Sequence, residues 1–246
     1  MRVLPLAATL LALAPLAVPG MACAQAQTAV SPEHLALGHE LAKRNNDEVS
    51  ADNQVSAMLV SAAKIFAENK DLRELEKEYP GAIKKMLDAM APVIREETLR
   101  ALPRLWDRLG AIYAANMTEQ ELRDAIAFYS GPVGVRLRAA MIGDLDMKAM
   151  LSEVLADPDK NISEKALGAS LDSTARGAIR ALSSADQQAL AQFAFTPAGA
   201  QIQRLNAQII KAASDWSNEA NPELDAKLEK IAEDVVAKIL DKEQSK

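Results

Sequence analysis

Apolar residues recur along the chain at intervals of three and four, the spacing of amphipathic helices, and no stretch reads as a strand ladder. Ser31 as cap and Pro32 in the first turn open a helix expected to run to about Arg44, followed by a polar loop from Asn45 to Asn53. Val55, Met58, Leu59, Ala62, Ile65 and Phe66 mark one face of a second helix, and a third should begin near Pro80. Leu99, Leu102, Trp106, Leu109 and Tyr113 follow a heptad-like spacing, so that helix offers a narrow apolar seam, with Pro103 expected to kink or restart it.

Thr118 and Glu121 form a capping box ahead of a helix whose stripe is Leu122, Ala125, Ile126 and Tyr129. Gly131-Pro132 must end it, because proline cannot continue a helix yet suits the first turn of the next, which carries Val133, Leu137 and Met141 inward. Sixty-five residues on, Phe193, Pro197 and Gly199 repeat the spacing of Phe128, Pro132 and Gly134, with Ser183 and Ile202 standing where Thr118 and Leu137 stand. The spacing predicts two related helical hairpins, about 96–150 and 161–215. Leu224, Leu228, Ile231, Val235 and Ile239 then share one face of a C-terminal helix that closes the assembly. The expected architecture is an all-α bundle of about eight to ten helices.

The amino terminus changes the picture. Arg2 followed by the apolar run Leu4 to Val18, with Ala22 and Ala24 around Cys23, has the form of a signal peptide, residues 1–24, cleaved after Ala24. Gly20 and Met21 occupy the places where a lipoprotein signal wants a leucine, which argues against lipid anchoring at Cys23. Cleavage removes 24 of the 246 residues and leaves 222, expected to form one all-α domain over 25–246 in the periplasm. It also removes the one cysteine, which excludes disulfides, thiol nucleophiles and thiolate metal sites from the mature chain. Without Arg2 the net charge goes from −6 to −7, unfavourable for nucleic acid and giving no general attraction to anionic membranes. The mature chain has no run of 18 apolar residues and thus no expected transmembrane segment.

Residues Met117 to Arg136, MTEQELRDAIAFYSGPVGVR, resemble the conserved segment of an exported bacterial family, domain of unknown function 2059, over about residues 100–150. The resemblance implies a helical fold and a cell-envelope setting and implies no activity. Gly131 stands where the family usually has serine and Arg136 where it usually has lysine, so a role for that serine or lysine does not carry over.

Candidate chemistry is thin. His34 and His39 diverge by roughly 140 degrees on a helix and cannot clamp one metal. Asp157, Asp159 and Asn161 open a calcium-loop spacing that Ile162 and Gly168 then break, which favours a turn capping the next helix. Met86 with Met90 and Met147 with Met150 read as core filling. Arg100, Arg104 and Arg108 line one helical face, either solvated or open to an anion. No catalytic residues, metal or cofactor are expected. The reading is a non-catalytic envelope interaction or binding protein, whose partner is an envelope protein or an apolar small molecule. A carrier or chaperone for lipids is the alternative, and an enzyme of unrecognised type a third. Any small ligand is expected beside Trp106, Tyr113, Phe128 and Tyr129, at the seam between the hairpins.

Overall fold

A computed structural model describes residues 31–143 and 161–244, with 145, 147, 150, 152 and 153 between them. Residues 1–24, read as a signal peptide, with Cys23, and Asp157 and Asp159 of the calcium-like spacing, lie outside the described residues, as does the side chain of Ile239. The described residues form ten α-helices and no strand: α1 (Pro32–Asn45), α2 (Glu48–Glu68), α3 (Lys70–Glu78), α4 (Ala82–Asn116), α5 (Glu119–Ser130), α6 (Pro132–Gly143), α7 (Glu164–Ala181), α8 (Ser184–Ala194), α9 (Pro197–Ser217) and α10 (Pro222–Gln244). The protein is all-α.

Helix α4 is the axis on which the others are hung. Over 35 residues it carries Leu87, Met90, Ile94, Leu102, Leu105, Trp106, Leu109 and Tyr113 into the core, and α1, α2, α9 and α10 all pack along it. It does not restart at Pro103. Both Pro92 and Pro103 sit inside the helix, each depriving a carbonyl one turn back of its donor. Packing from several neighbours keeps the axis in one piece at that cost.

Two further expectations are corrected. The polar loop Asn45 to Asn53 shrinks to Asn46 and Asp47, because the Asp47 side chain accepts from Ser50 N at 2.7 Å and starts α2 at once. Asn45, Asn46 and Ser50, which gave that stretch its loop-like polarity, are all buried. Helix α3 was not anticipated: Leu72 packs against the core, but its residues are otherwise mostly charged, and that composition hides it. It earns its place through Glu76, whose carboxylate accepts from the backbone amides of Gly81 (2.6 Å) and Ile83 (3.1 Å). Gly81 has φ +83°, a left-handed conformation that suits glycine, and no side chain of its own to cap α4, so Glu76 caps it from outside.

Helix α1 crosses α4 at a point where both backbones touch. A Cβ on Gly38 would run into the Gly110 carbonyl and sit 3.1 Å from Ala114 N, and one on Gly110 would sit 2.8 Å from His39 Cα. Glycine at both positions sets the spacing of the two helices.

Candidate functional site

The corner that the sequence places at Pro132 is built as its residues dictate. Thr118 accepts from Glu121 N at 3.2 Å while the Glu121 carboxylate accepts from Thr118 N at 2.7 Å, and α5 then buries Leu122, Ala125 and Tyr129. The chain turns at Gly131, and α6 starts on Pro132. A Cβ on Gly134 would stand 2.5 Å from Tyr129 Cα, so the returning helix leans directly on the outgoing backbone. The second corner has the same parts. Ser183 accepts from Asp186 N at 3.2 Å, α8 ends at Ala194, α9 starts on Pro197, and a Cβ on Gly199 would stand 2.9 Å from Ala194 Cα. Thr196 accepts from Gly199 N at 3.1 Å and caps α9, a bond that Gly131 cannot make for α6.

The corners meet. Phe128 and Phe193, at matching positions of the two, stack with centroids 3.9 Å apart and planes within 3°, and Tyr129 closes edge-on against both at 5.2 and 5.7 Å. Arg136 on α6 reaches Asp186 at the start of α8, its Nε donating to Oδ2 at 2.9 Å. Gln201, at the matching position of α9, donates to the carbonyl of Asn116 just ahead of α5 at 2.7 Å. Arg136, with Ser183 also donating, holds the Asp186 carboxyl below the usual carboxylate range.

The four aromatics singled out in the sequence lie inside this core. Tyr129 is fully buried, Tyr113 is 3% exposed, Trp106 is 6% exposed, and Phe128 is half-buried in its stack. The structure brings Phe128 and Tyr129 into contact and turns Trp106 to donate from Nε1 to the Asn46 carbonyl at 2.8 Å. Burial pushes the Tyr113 hydroxyl up to about 12, against a hydrogen bond from Asn45 that lowers it. Burial raises Tyr129 as well, so both are neutral phenols.

Two openings lie elsewhere, and neither is lined by those four residues. The first, of about 300 Å³, sits where α10 starts beside α4 and is lined by Glu97, Arg100, Arg104, Trp216, Glu219 and Asn221 among others. Its arginines are spent: Arg100 donates twice to Glu97, at 3.0 and 2.8 Å, and Arg104 and Arg108 both pair with Glu219. The partner Glu219 stands 111 residues from Arg108 in sequence, which is why the stripe looked open to an anion.

The second opening, of about 370 Å³, is an apolar groove between α2 and the start of α4, with α3 at one end. Leu59, Val60, Ala63 and Ala67 line it from α2 and Ile83 and Leu87 from α4, and Val60 is 57% exposed. Its charged residues are engaged with one another or with backbone: Lys84 donates to Asp88 at 2.6 Å, and Glu76 holds the two amides that cap α4. The groove was missed in the sequence because, of its α2 lining, only Leu59 lies on the apolar face read there, while Val60, Ala63 and Ala67 fall outside it.

The other candidates have ordinary surroundings. His34 Nε2 bonds the Met117 carbonyl at 2.7 Å, and His39 stands edge-on to Trp106 and 3.5 Å from Asp107. Met90, Met147 and Met150 are buried in the core, and Met86 packs against it. Among the described residues, no three His, Cys, Asp or Glu side chains converge as a metal site would require.

A family model described as "Uncharacterized protein conserved in bacteria (DUF2059)" matches residues 103–143. This is the family that the segment resembles, and the match takes in α4 from Pro103 to its end, all of α5 and all of α6. Comparison with curated proteins and with solved structures found no match.

Proposed function

We propose that this is an exported, non-catalytic binding protein of the cell envelope that holds an uncharged aliphatic chain in the groove between α2 and α4. The groove itself carries the reading. Its volume lies at the lower end of the range for small-molecule sites, and six aliphatic side chains line it. Because Lys84 and Asp88 neutralise one another and Glu76 is occupied, a ligand bearing a free acid gains little at the mouth, whereas an alkyl chain gains by leaving water. Trp106, Tyr113, Phe128 and Tyr129 support the bundle in this reading and do not line the ligand.

Export rests on Arg2, the Leu4 to Val18 run and the Ala22 and Ala24 pair. Among the described residues, no helix is long and apolar enough to cross a membrane. The two hairpins are read as a duplication, supported by the matching corners and by the reciprocal reach of Arg136 and Gln201.

Titration with the neutral fluorophore N-phenyl-1-naphthylamine tests the binding reading. Saturable fluorescence enhancement in the parent, displaced by a long-chain alcohol and lost in Ala63→Phe, which fills the groove from its α2 wall, is the expected result. Equal binding by parent and a folded Ala63→Phe would overturn it.

A further inference from the structure

The groove between α2 and α4 carries charges at its rim that an alkyl chain does not use, and the inference drawn from them rests on the binding reading above. Its apolar lining runs along α2 from Leu59 through Val60 and Ala63 to Ala67, about 12 Å of helix, and is completed by Ile83 and Leu87 of α4. With a volume of about 370 Å³ between two helices, it suits one alkyl chain laid along them rather than a pair side by side.

Three ionisable side chains border this lining: Glu76, Lys84 and Asp88. They are not equivalent. Glu76 accepts from the amides of Gly81 and Ile83, where the positive end of the α4 dipole offsets its charge. Lys84 and Asp88, one turn apart on α4, pair at 2.6 Å, yet their side chains remain 79% and 63% exposed. An ammonium has three donors and a carboxylate two acceptor oxygens, so this pair leaves both ions able to bond a ligand as well. The rim therefore presents a cation and an anion side by side. An acid or an amine on the ligand is attracted by one and repelled by the other, and a nonionic head leaves both to water. A head that joins an anion to a cation matches both at once.

We propose that the groove takes a single-chain phospholipid with a zwitterionic headgroup, its phosphate on Lys84, its ammonium on Asp88 and its acyl chain along Leu59, Ala63 and Ala67. Burial of the chain supplies most of the affinity. Exposed ion pairs contribute little, so the headgroup sets a modest preference among amphiphiles of one chain length.

Displacement of N-phenyl-1-naphthylamine by decylphosphocholine and by decyl maltoside, each below its micelle concentration, tests this, because the two share a chain and differ in the head. The parent should bind decylphosphocholine about fivefold more tightly. The double variant Lys84→Gln, Asp88→Asn changes only exposed side chains and keeps the fold; it should bind both amphiphiles equally, with decyl maltoside at its parental affinity. Equal affinities in the parent, or a preference that survives in the double variant, would overturn the headgroup assignment and leave the groove as an alkyl site. Displacement by neither amphiphile overturns the assignment and the binding reading together.

Discussion

Replacing glycine by alanine inside a helix ordinarily stabilises it by about 1 kcal/mol, because alanine has less backbone freedom to lose. Gly199 and Gly168 separate that general gain from the particular demand of a corner. Both lie in helices, α9 and α7, and neither has a positive φ, so alanine is conformationally acceptable at each. At Gly168 the nearest atom to a new methyl is Ile210 Cδ1 at 3.7 Å, an ordinary contact. At Gly199 the methyl would meet the Phe193 carbonyl group, 2.8 Å from its carbon, and Ala194 Cα at 2.9 Å, all backbone atoms held by α8. Overpacking of this kind costs about 3 kcal/mol at its upper end, against the gain of about 1, so Gly199→Ala should lose about 2 kcal/mol. For a chain of this length that is a fall of about 4–8 °C in melting temperature, while Gly168→Ala should rise by about 2–4 °C. Thermal and urea unfolding followed by circular dichroism measure both. A Gly199→Ala variant as stable as Gly168→Ala would refute the corner as described.

Gly38→Ala should also destabilise, since the new methyl meets the Gly110 carbonyl where α1 and α4 cross, but less than Gly199→Ala, because its next neighbours stand at 3.1 Å and those at Gly199 at 2.8 and 2.9 Å; urea midpoints of the two variants decide the order. Asp186, whose carboxyl is held low by Arg136 and Ser183, contributes stability above the ordinary carboxylate pKa, and the contribution is lost as pH falls from about 4 through its lowered value. Asp186→Asn should therefore be less stable than the parent at neutral pH and converge with it in acid, as melting curves between pH 7 and pH 2 would show. If the hairpins are duplicates, Gln201→Arg should find Glu121 as Arg136 finds Asp186; a double-mutant cycle with Glu121→Gln should give a favourable coupling, and none if the halves are not equivalent.

Local signals were legible where a residue's task is local. The capping box at Thr118, the stop at Gly131 and the restart at Pro132 follow from which backbone groups a helix end leaves unpaired, and they stand where the sequence puts them. The seam from Leu99 to Tyr113 is equally plain, because burial on one face imposes its own period. Illegible features depend on distant partners. Asn45, Asn46 and Ser50 imitate a loop because their polarity is buried by tertiary contacts, and α3 is hidden because most of its residues are charged, among them Glu76, which serves α4. Arg104 and Arg108 looked available because Glu219 reaches them from the start of another connection. The aromatics drew attention as an apolar site, but the same burial that makes them prominent leaves them enclosed, and the opening formed instead between aliphatic faces of α2 and α4.

Methyl-resolved NMR of the protein labelled at Leu, Val, Ile and Ala, titrated with a neutral long-chain alcohol, tests the groove most directly. Saturating shifts confined to Leu59, Val60, Ala63, Ala67, Ile83 and Leu87, with Leu41, Leu109 and Leu122 of the core unmoved, are the result expected of a binding protein that uses this site. Shifts centred on the core methyls, or no saturable shift at all, would contradict it.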